Sequence, residues 1–317
     1  MSILLAIRNW DSAGWAERFE RLAPGRDIRV WPEAGALTKN LAGVRYAVCW
    51  QPPGGLLASL PDLEVMFSLG AGVDAMLADP DLPDAPLVRI VDPSLTGRMT
   101  EWVVLQVLMH HRLQRIYDAQ QRDKVWKDIP QPAADAVGVG IMGLGVLGSD
   151  AALKLRDLGF DVAGWSRTPK DLPGIACHHG ADGLKPFLAR TDILVVLLPM
   201  TPDTEGTIDY DLLAGLRCDN HMGGAVLINA GRGRLQVEED ILRALADNVL
   251  SGATLDVFRE EPLPTDSPFW THPKVTVTPH IAAESDPDYL CAYILRQIEN
   301  HEAGRPLENV VDRELGY

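Results

Sequence analysis

The chain has 317 residues, of which 46% are hydrophobic and 23% charged, and its formal net charge is −15. This length and composition predict two globular domains with a core each, and exclude a disordered or fibrous chain. Because 44 acidic side chains outnumber 29 basic ones, we expect neither nucleic acid nor an anionic membrane surface as a partner.

Short apolar runs alternate with amphipathic ones along the chain, which is typical of α/β folds with mostly parallel sheets. Ten runs predict strands buried on both faces: 3–7, 44–50, 63–69 and 87–91 in a first series, then 137–143, 160–165, 193–199, 225–230, 252–257 and 275–279 in a second. The first run is too short to cross a bilayer and follows no basic leader. We therefore predict two Rossmann-like or flavodoxin-like domains in a cytoplasmic protein.

Between the two series of strands, residues 98–122 predict one long amphipathic helix. Its apolar positions recur at helical spacing: Trp102, Leu105, Leu108, Met109, Leu113 and Ile116. The Pro- and Ala-rich segment 126–135 follows as an arm or linker. A last helix, at about 288–303, comes after the second sheet and is expected to pack back on the first domain.

Four cysteines lie far apart in the sequence and form no Cys-x-x-Cys pair, which favours reduced thiols in the cytosol. The run Cys177-His178-His179 resembles half of a metal site but has no second ligand cluster at a useful spacing. We expect no bound metal.

The segment 143-GLGVLG-148 follows a predicted strand and opens a helical pattern. Glycines at 143, 145 and 148 allow a tight turn, close approach of the backbone to a pyrophosphate, and close packing of helix on strand. The helix N-terminus behind them carries free N–H groups and a positive dipole end. In this context the motif predicts a dinucleotide site, whereas a bare glycine pattern is also compatible with a structural turn.

Positive charge stands where many dinucleotide-binding chains carry an acid. Ser166 and Arg167 lie 23 and 24 residues after Gly143, at the end of the next strand, and Thr168 and Lys170 follow. An acid would accept hydrogen bonds from a ribose 2′-hydroxyl, but an arginine with neighbouring hydroxyls suits a 2′-phosphate. We therefore predict NADP(H) as the preferred cofactor, with NAD(H) possible. A solvated basic turn without a ligand is the alternative.

Three segments lie at or just after the C-terminal ends of later predicted strands: 229–235, 255–264 and 277–283. Open α/β sheets bind ligands at these strand ends. The three segments bring Arg232, Glu261 and His280 to one edge of the sheet. An arginine fork can hold a carboxylate and polarise a neighbouring carbonyl, and an imidazole can move the hydroxyl proton. A carboxylate beside the imidazole orients the ring and raises its pKa. Each residue alone has an ordinary structural explanation; their joint placement favours catalysis.

The sequence resembles the D-isomer-specific 2-hydroxyacid dehydrogenases over nearly its whole length. The similarity is carried by 47-AVCWQPP-53, 69-LGAGVDAML-77, 141-IMGLGVLG-148, 165-WSR-167, 229-NAGRG-233, 255-LDVF-258, 260-EEPLP-264, 278-TPHIAA-283 and 311-VDRELGY-317. The resemblance implies two domains, 1–98 plus 286–317 for the substrate and 99–285 for NADP, and a homodimer formed through the helix and arm near 98–136.

The resemblance also implies roles for individual residues. Arg232 binds the substrate carboxylate and keto oxygen, His280 is the general acid in reduction, and Glu261 is its partner. Asp256 contacts the nicotinamide carboxamide. The loop with Ala71 and Gly72 offers N–H groups to the substrate carboxylate, and Trp50 walls a small pocket unless it is ordinary core. The remaining predicted cofactor contacts are Val146, Leu147, Trp165, Leu198, Pro199, Thr204 and Ala230.

The sequence thus predicts an NADPH-dependent reductase of small 2-oxo acids, with glyoxylate and hydroxypyruvate first. Two alternatives stay open: an NAD-linked enzyme for a larger D-2-hydroxy acid, and a dinucleotide-sensing scaffold that keeps the same three site residues. The short termini argue against a scaffold.

Overall fold

A computed structural model describes residues 2–31 and 41–316 of the chain. They form two compact units. The first comprises the described residues up to Leu95 together with those from Ser285 onward, and the second is Thr96–Glu284. Of the C-terminal motif quoted above, Tyr317 lies outside the described residues.

The first unit contains a five-stranded parallel sheet. Its elements in chain order are β1 (Ser2–Ile7), α1 (Ser12–Leu22), β2 (Asp27–Val30), β3 (Val44–Trp50), β4 (Val65–Ser68), α2 (Asp74–Leu77) and β5 (Leu87–Val88). The strand order β2-β1-β3-β4-β5 is flavodoxin-like. The central strands are buried on both faces because helices or loops cover each side, which is why they are apolar throughout.

The last helix, α9 (Pro287–Glu302), belongs to this first unit. Asp286 caps its N-terminus by accepting hydrogen bonds from the N–H groups of Asp288 and Tyr289. The buried face of α9 packs with Trp15 and Phe19 of α1 over strands β1 and β3. The predicted return of the C-terminal helix to the N-terminal domain is confirmed.

The second unit has a seven-stranded parallel sheet. Its elements are α3 (Pro93–His111, which begins just before the unit boundary), α4 (Gln114–Asp123), β6 (Gly138–Met142), α5 (Val146–Asp157), β7 (Asp161–Ser166), β8 (Ala176–His179), α6 (Gly180–Leu188), β9 (Ile193–Val196), α7 (Tyr210–Ala214), β10 (Ala225–Asn229), α8 (Glu238–Ala246), β11 (Leu250–Leu255) and β12 (Val275–Val277).

The strand order of this sheet, β12-β11-β10-β9-β6-β7-β8, reverses direction between β6 and β9. Such a switch point opens a crevice at the carboxyl ends of the strands, where α/β sheets bind nucleotides. Two apolar clusters cover the two faces of the sheet. The predicted fold class is confirmed: both sheets are parallel, and the second has the Rossmann order.

The structure corrects the prediction of one long helix over 98–122. α3 ends at His111 and α4 begins at Gln114, because Leu113 has φ +56° and a left-handed residue cannot continue a right-handed helix. Of the six apolar positions, Leu105 is 53% and Ile116 is 44% exposed, so the apolar face is only partly buried.

Two strands were absent from the sequence prediction. β2 and β8 are the edge strands at one end of each sheet, and their residues are half-buried or exposed. Polar residues are tolerated there, so the apolar run that signals a central strand is missing.

Candidate active site

The second unit brings His280 and Glu261 into contact. The Nδ1 atom of His280 lies 2.7 Å from Oε2 of Glu261, and the other carboxylate oxygen accepts a 2.9 Å hydrogen bond from the Phe258 N–H. Both side chains follow neighbouring strands, β11 and β12, at the carboxyl edge of the sheet. The imidazole is thus oriented through Nδ1, which leaves Nε2 as the atom that can exchange a proton with a ligand.

The loop that carries His280 is anchored on Asp256. This carboxylate is 1% exposed and accepts hydrogen bonds from the Thr278 hydroxyl at 2.5 Å, the Ile281 N–H at 3.0 Å and the Ala282 N–H at 2.9 Å. The His280 N–H in turn donates to the Asp256 carbonyl at 2.8 Å. These bonds hold His280 at φ +54°, in the left-handed region. Asp256 therefore positions His280, and a contact with a nicotinamide carboxamide stays a prediction.

Arg232 stands on a turn that follows β10. Asn229, fully buried, accepts from the Gly231 N–H at 3.0 Å and donates to the Arg232 carbonyl at 3.2 Å and to Oε1 of Gln236 at 2.8 Å. A Cβ on Gly233 would lie 1.9 Å from the Phe258 carbonyl carbon, so only glycine lets this turn meet the loop that leads to Glu261. The turn thereby carries Arg232 towards the His280–Glu261 pair.

The charges of the three side chains act on one another. The hydrogen bond to Glu261 raises the pKa of His280, against burial and the Arg232 charge, which lower it. Burial raises the pKa of Glu261, but the hydrogen bonds from His280 and the Phe258 N–H and the charges of His280 and Arg232 outweigh it, so that pKa is lowered. The site therefore favours a protonated imidazole beside an ionised carboxylate, next to a cationic fork that suits an anion.

The glycine turn connects β6 to α5 in the same unit. A Cβ on Gly148 would lie 1.9 Å from the Gly143 carbonyl oxygen, and Gly143 itself has φ +113°. By contrast, among the residues that the structure describes no atom lies within 4 Å of a Cβ placed on Gly145, so packing against them does not require glycine there. This open position, beside the exposed Val146 and the free N–H groups of the first turn of α5, fits a pyrophosphate.

The basic turn lies at the carboxyl end of β7. Ser166 is buried and its hydroxyl donates to the Thr168 carbonyl at 2.8 Å, while Arg167, Thr168 and Lys170 are exposed. The Trp165 indole donates to the Gly180 carbonyl at 2.9 Å and thus anchors the end of β7 to α6. The turn is ordered and presents its cations outward, which fits a phosphate ester.

The other predicted cofactor residues lie along the same carboxyl edge. Leu198 and Pro199 follow β9, and the Thr204 hydroxyl closes their loop by donating to the Pro199 carbonyl at 2.8 Å. Leu147 lies half-buried in the first turn of α5, and Ala230 is buried after β10. Leu147, Leu198 and Pro199 flank the switch point between β6 and β9, and Ala230 follows the next strand along the same edge.

Three predicted substrate residues belong to the first unit. Trp50 ends β3, and Ala71 and Gly72 form the loop after β4, so all three lie at the carboxyl edge of the five-stranded sheet. The Ser68 hydroxyl shapes this loop: it accepts from the Gly70 N–H at 3.1 Å and donates to the Gly70 carbonyl at 3.0 Å. Within the described residues, the Ala71 and Gly72 N–H groups have no protein acceptor, which suits the binding of an anion.

Among the described residues, no group of three or more His, Cys, Asp or Glu side chains could hold a metal ion, and all four cysteines are free thiols. Over residues 2–31 and 41–316, every helix is too short or too polar to cross a bilayer.

The sequence analysis missed the residues that hold the site in place. Asn229 and Gln236 are fully buried, and Gln236 donates to the Val257 carbonyl at 3.1 Å, which joins the Arg232 turn to the end of β11. Thr278 also supports the site, because its hydroxyl donates a hydrogen bond to the Asp256 carboxylate. A signal was available, since Asn229 is a polar residue that ends an apolar strand and must find partners when buried.

Comparison with known proteins defines the class. The profile of the NAD-binding domain of the D-isomer-specific 2-hydroxyacid dehydrogenases matches residues 104–282, more than half of the chain. The chain belongs to this family. Over the full length of both proteins it is 38% identical to glyoxylate/hydroxypyruvate reductase A of Yersinia enterocolitica and 40% identical to that of Salmonella heidelberg.

Solved structures agree. The NADPH-dependent glyoxylate/hydroxypyruvate reductase of Sinorhizobium meliloti, in complex with NADP and sulfate, has a TM-score of 0.94 and 47% identity, covering 100% of this chain and 99% of that one. A family member from Xanthobacter autotrophicus, in complex with NADPH and MES, has a TM-score of 0.94 and 40% identity with the same coverage.

Proposed function

We propose that the protein reduces small 2-oxo acids with NADPH, converting glyoxylate to glycolate and hydroxypyruvate to D-glycerate. The observation that carries this proposal is the contact of His280 with Glu261 beside Arg232, at the same sheet edge as a glycine turn that fits a pyrophosphate. Relatives with the same fold support it, since the Sinorhizobium meliloti enzyme is named for these two substrates.

The residues of the site divide the chemistry between them. Arg232 holds the substrate carboxylate and polarises the keto oxygen, so that charge developing on that oxygen is stabilised. His280, protonated through Nε2, donates its proton to the same oxygen and so completes the hydroxyl group. Glu261 keeps the imidazole oriented and cationic before the transfer. NADPH, when bound, supplies the hydride that reaches C2 of the substrate.

NADPH is preferred over NADH in this proposal because Arg167 and Lys170 follow Ser166 where an acid would serve a free ribose 2′-hydroxyl. Two relatives with high structural similarity were solved with NADP or NADPH bound. An NAD-linked enzyme for a larger acid remains the second candidate, favoured only if Arg167 makes no contact with the nucleotide.

We assign substrate binding to the first unit, through Trp50 and the N–H groups of Ala71 and Gly72, and NADP binding to the second. A bulky indole restricts the acid to a small one.

We further propose a homodimer formed through α3, α4 and the arm. Apolar side chains there are unusually exposed for a monomer: Leu105, Ile116, Val125 and, at 103%, Trp126. Four free thiols suit the cytoplasm.

The decisive experiment follows the loss of nicotinamide absorbance with NADPH or NADH and four acids: glyoxylate, hydroxypyruvate, pyruvate and phenylpyruvate. We expect turnover of the two small acids with NADPH. Arg232→Ala and His280→Ala should abolish it while nucleotide binding persists. Matched controls are Arg234→Ala, an exposed arginine paired with Glu205, and His179→Ala, an exposed histidine.

Two results would contradict the proposal. Wild-type rates in Arg232→Ala or His280→Ala would contradict the proposed roles of these residues in catalysis. Tight nucleotide binding without turnover of any acid, together with a stoichiometric protein partner, would support a dinucleotide-sensing scaffold. The oligomer is checked separately by light scattering, where Trp126→Ala should weaken the dimer.

A further inference from the structure

Three indole rings stack in the first unit. The rings of Trp10 and Trp50 lie 4.0 Å apart between centroids, 13° from parallel, and those of Trp10 and Trp15 lie 6.3 Å apart at 9°. Trp15 is 7% exposed within the core of the unit, whereas Trp10 is 40% exposed. Trp10 therefore links a ring fixed in the core to the ring of Trp50.

The stack stands at the carboxyl ends of two paired strands, because β1 ends at Ile7 and β3 at Trp50. Asn9 and Gln51 both adopt left-handed backbone conformations, with φ +60° and φ +46°, and the Asn9 amide donates to the Gln51 side chain at 3.3 Å. These turns bend both chains out of the sheet and set Trp10 beside Trp50.

At its other end the stack contacts the loop that carries Ala71 and Gly72. A Cβ on Gly70 would lie 2.8 Å from Cζ3 of Trp50, so the indole contacts the loop backbone directly. With Gly70 tied to Ser68, Trp50 is held between this loop and Trp10. Trp50 also packs against the apolar core of the unit, so removing the Trp10 ring would take away its stacking partner but not all of its support.

We propose that Trp10 is a positioning residue that determines substrate size. Stacked against Trp50, it prevents that indole from swinging away from Ala71 and Gly72, and so excludes 2-oxo acids with bulky side chains. The inference rests on the proposed function, which assigns substrate binding to Trp50 and this loop. What the inference adds is that selectivity for substrate size depends on Trp10, the ring stacked on Trp50.

The test compares the full-length wild type with Trp10→Ala and Trp10→Phe, with Trp270→Ala as the control that removes an exposed indole outside the stack. In Trp10→Ala we expect kcat/KM for phenylpyruvate relative to glyoxylate to rise about tenfold, because a movable wall admits the larger acid. Trp10→Phe keeps an aromatic face and should retain most of the wild-type preference.

Circular dichroism supplies a readout of the stack itself. The exciton couplet of the paired indoles should disappear in both Trp10 variants and persist in Trp270→Ala. An active Trp10→Ala enzyme with the wild-type preference would overturn the inference and leave the proposed function standing. A wild type that reduces no 2-oxo acid would overturn the proposed function and the inference with it.

Discussion

Nδ1 of His280 lies 2.7 Å from the Glu261 carboxylate, although the two residues belong to different loops. Glu261 follows β11, and His280 follows β12. The contact raises the pKa of His280 and, with the Phe258 N–H, lowers that of Glu261. Loss of this contact is open to measurement by pH titration, since both partners titrate and neither is fully buried.

The pH dependence of reduction should follow the protonated form of His280. Because the pKa of His280 is raised above its ordinary value, reduction should persist to a higher pH than a free imidazole would allow, and then decline. Glu261→Gln removes the charge that raises this pKa, so the alkaline limb of kcat/KM should move to lower pH. Glu260→Gln, an exposed neighbour, is the control and should leave the limb in place. An unmoved limb in Glu261→Gln would mean that another group donates the proton.

The same pair should contribute to folding stability only within a pH window. The contribution of His280, whose folded pKa is raised, is lost as pH rises through that pKa; the contribution of Glu261, whose folded pKa is lowered, is lost as pH falls through it. The difference in Tm between wild type and Glu261→Gln should therefore be largest between these limits and shrink on either side. It should be small, since the side chains are 46% and 36% exposed. A difference that is constant with pH would contradict the assignment.

Asp256→Asn should impair catalysis beyond its effect on folding. The amide replaces one acceptor oxygen by a donor that faces backbone N–H groups, which should lower the free energy of unfolding by about 1–3 kcal/mol. Since the loop with His280 then shifts, kcat should fall about 100-fold. Urea unfolding and steady-state rates measure the two effects. Asp266→Asn, at an exposed position, should change neither the free energy of unfolding nor kcat. A stable and fully active Asp256→Asn would show that the loop with His280 keeps its conformation without the Asp256 carboxylate.

Gly145 and Gly148 should respond differently to alanine. In Gly148→Ala the new methyl group overlaps the Gly143 carbonyl, so the protein itself should lose about 1–3 kcal/mol of stability. In Gly145→Ala the methyl enters open space, so the unfolding free energy without nucleotide should stay within about 0.5 kcal/mol of wild type. The affinity for NADPH should nevertheless fall, as titration calorimetry would show. Unchanged NADPH affinity in Gly145→Ala would place the pyrophosphate elsewhere.

Arg167→Ala should reduce the preference for NADPH. A charged hydrogen bond to a 2′-phosphate is lost, so the Kd for NADPH should rise about 10- to 100-fold while the Kd for NADH changes little. The comparison is made by fluorescence titration of both nucleotides at fixed ionic strength, with Lys185→Ala as an exposed basic control. An equal rise in the Kd values for NADPH and NADH would contradict a contact between Arg167 and the 2′-phosphate.

The sequence by itself determined the central strands and the glycine turn, and it predicted the residues of the candidate site. Runs such as 193–196 and 225–229 are apolar because both faces of a parallel sheet are covered, and this burial leaves a direct trace in composition. The turn at Gly143 and the basic residues after Ser166 were equally visible, because their chemistry is local.

Only the tertiary structure decided what depends on distant partners. The edge strands β2 and β8 carry no apolar signal, since solvent reaches them, and the break at Leu113 has neither glycine nor proline to announce it. Asp256 and Gln236 hold the site through hydrogen bonds to residues 22 and 21 positions away along the chain. The stack of Trp10 on Trp50 joins residues 40 positions apart, because β1 and β3 are neighbours in the sheet. Pairing between strands, which no local pattern encodes, brings these groups together.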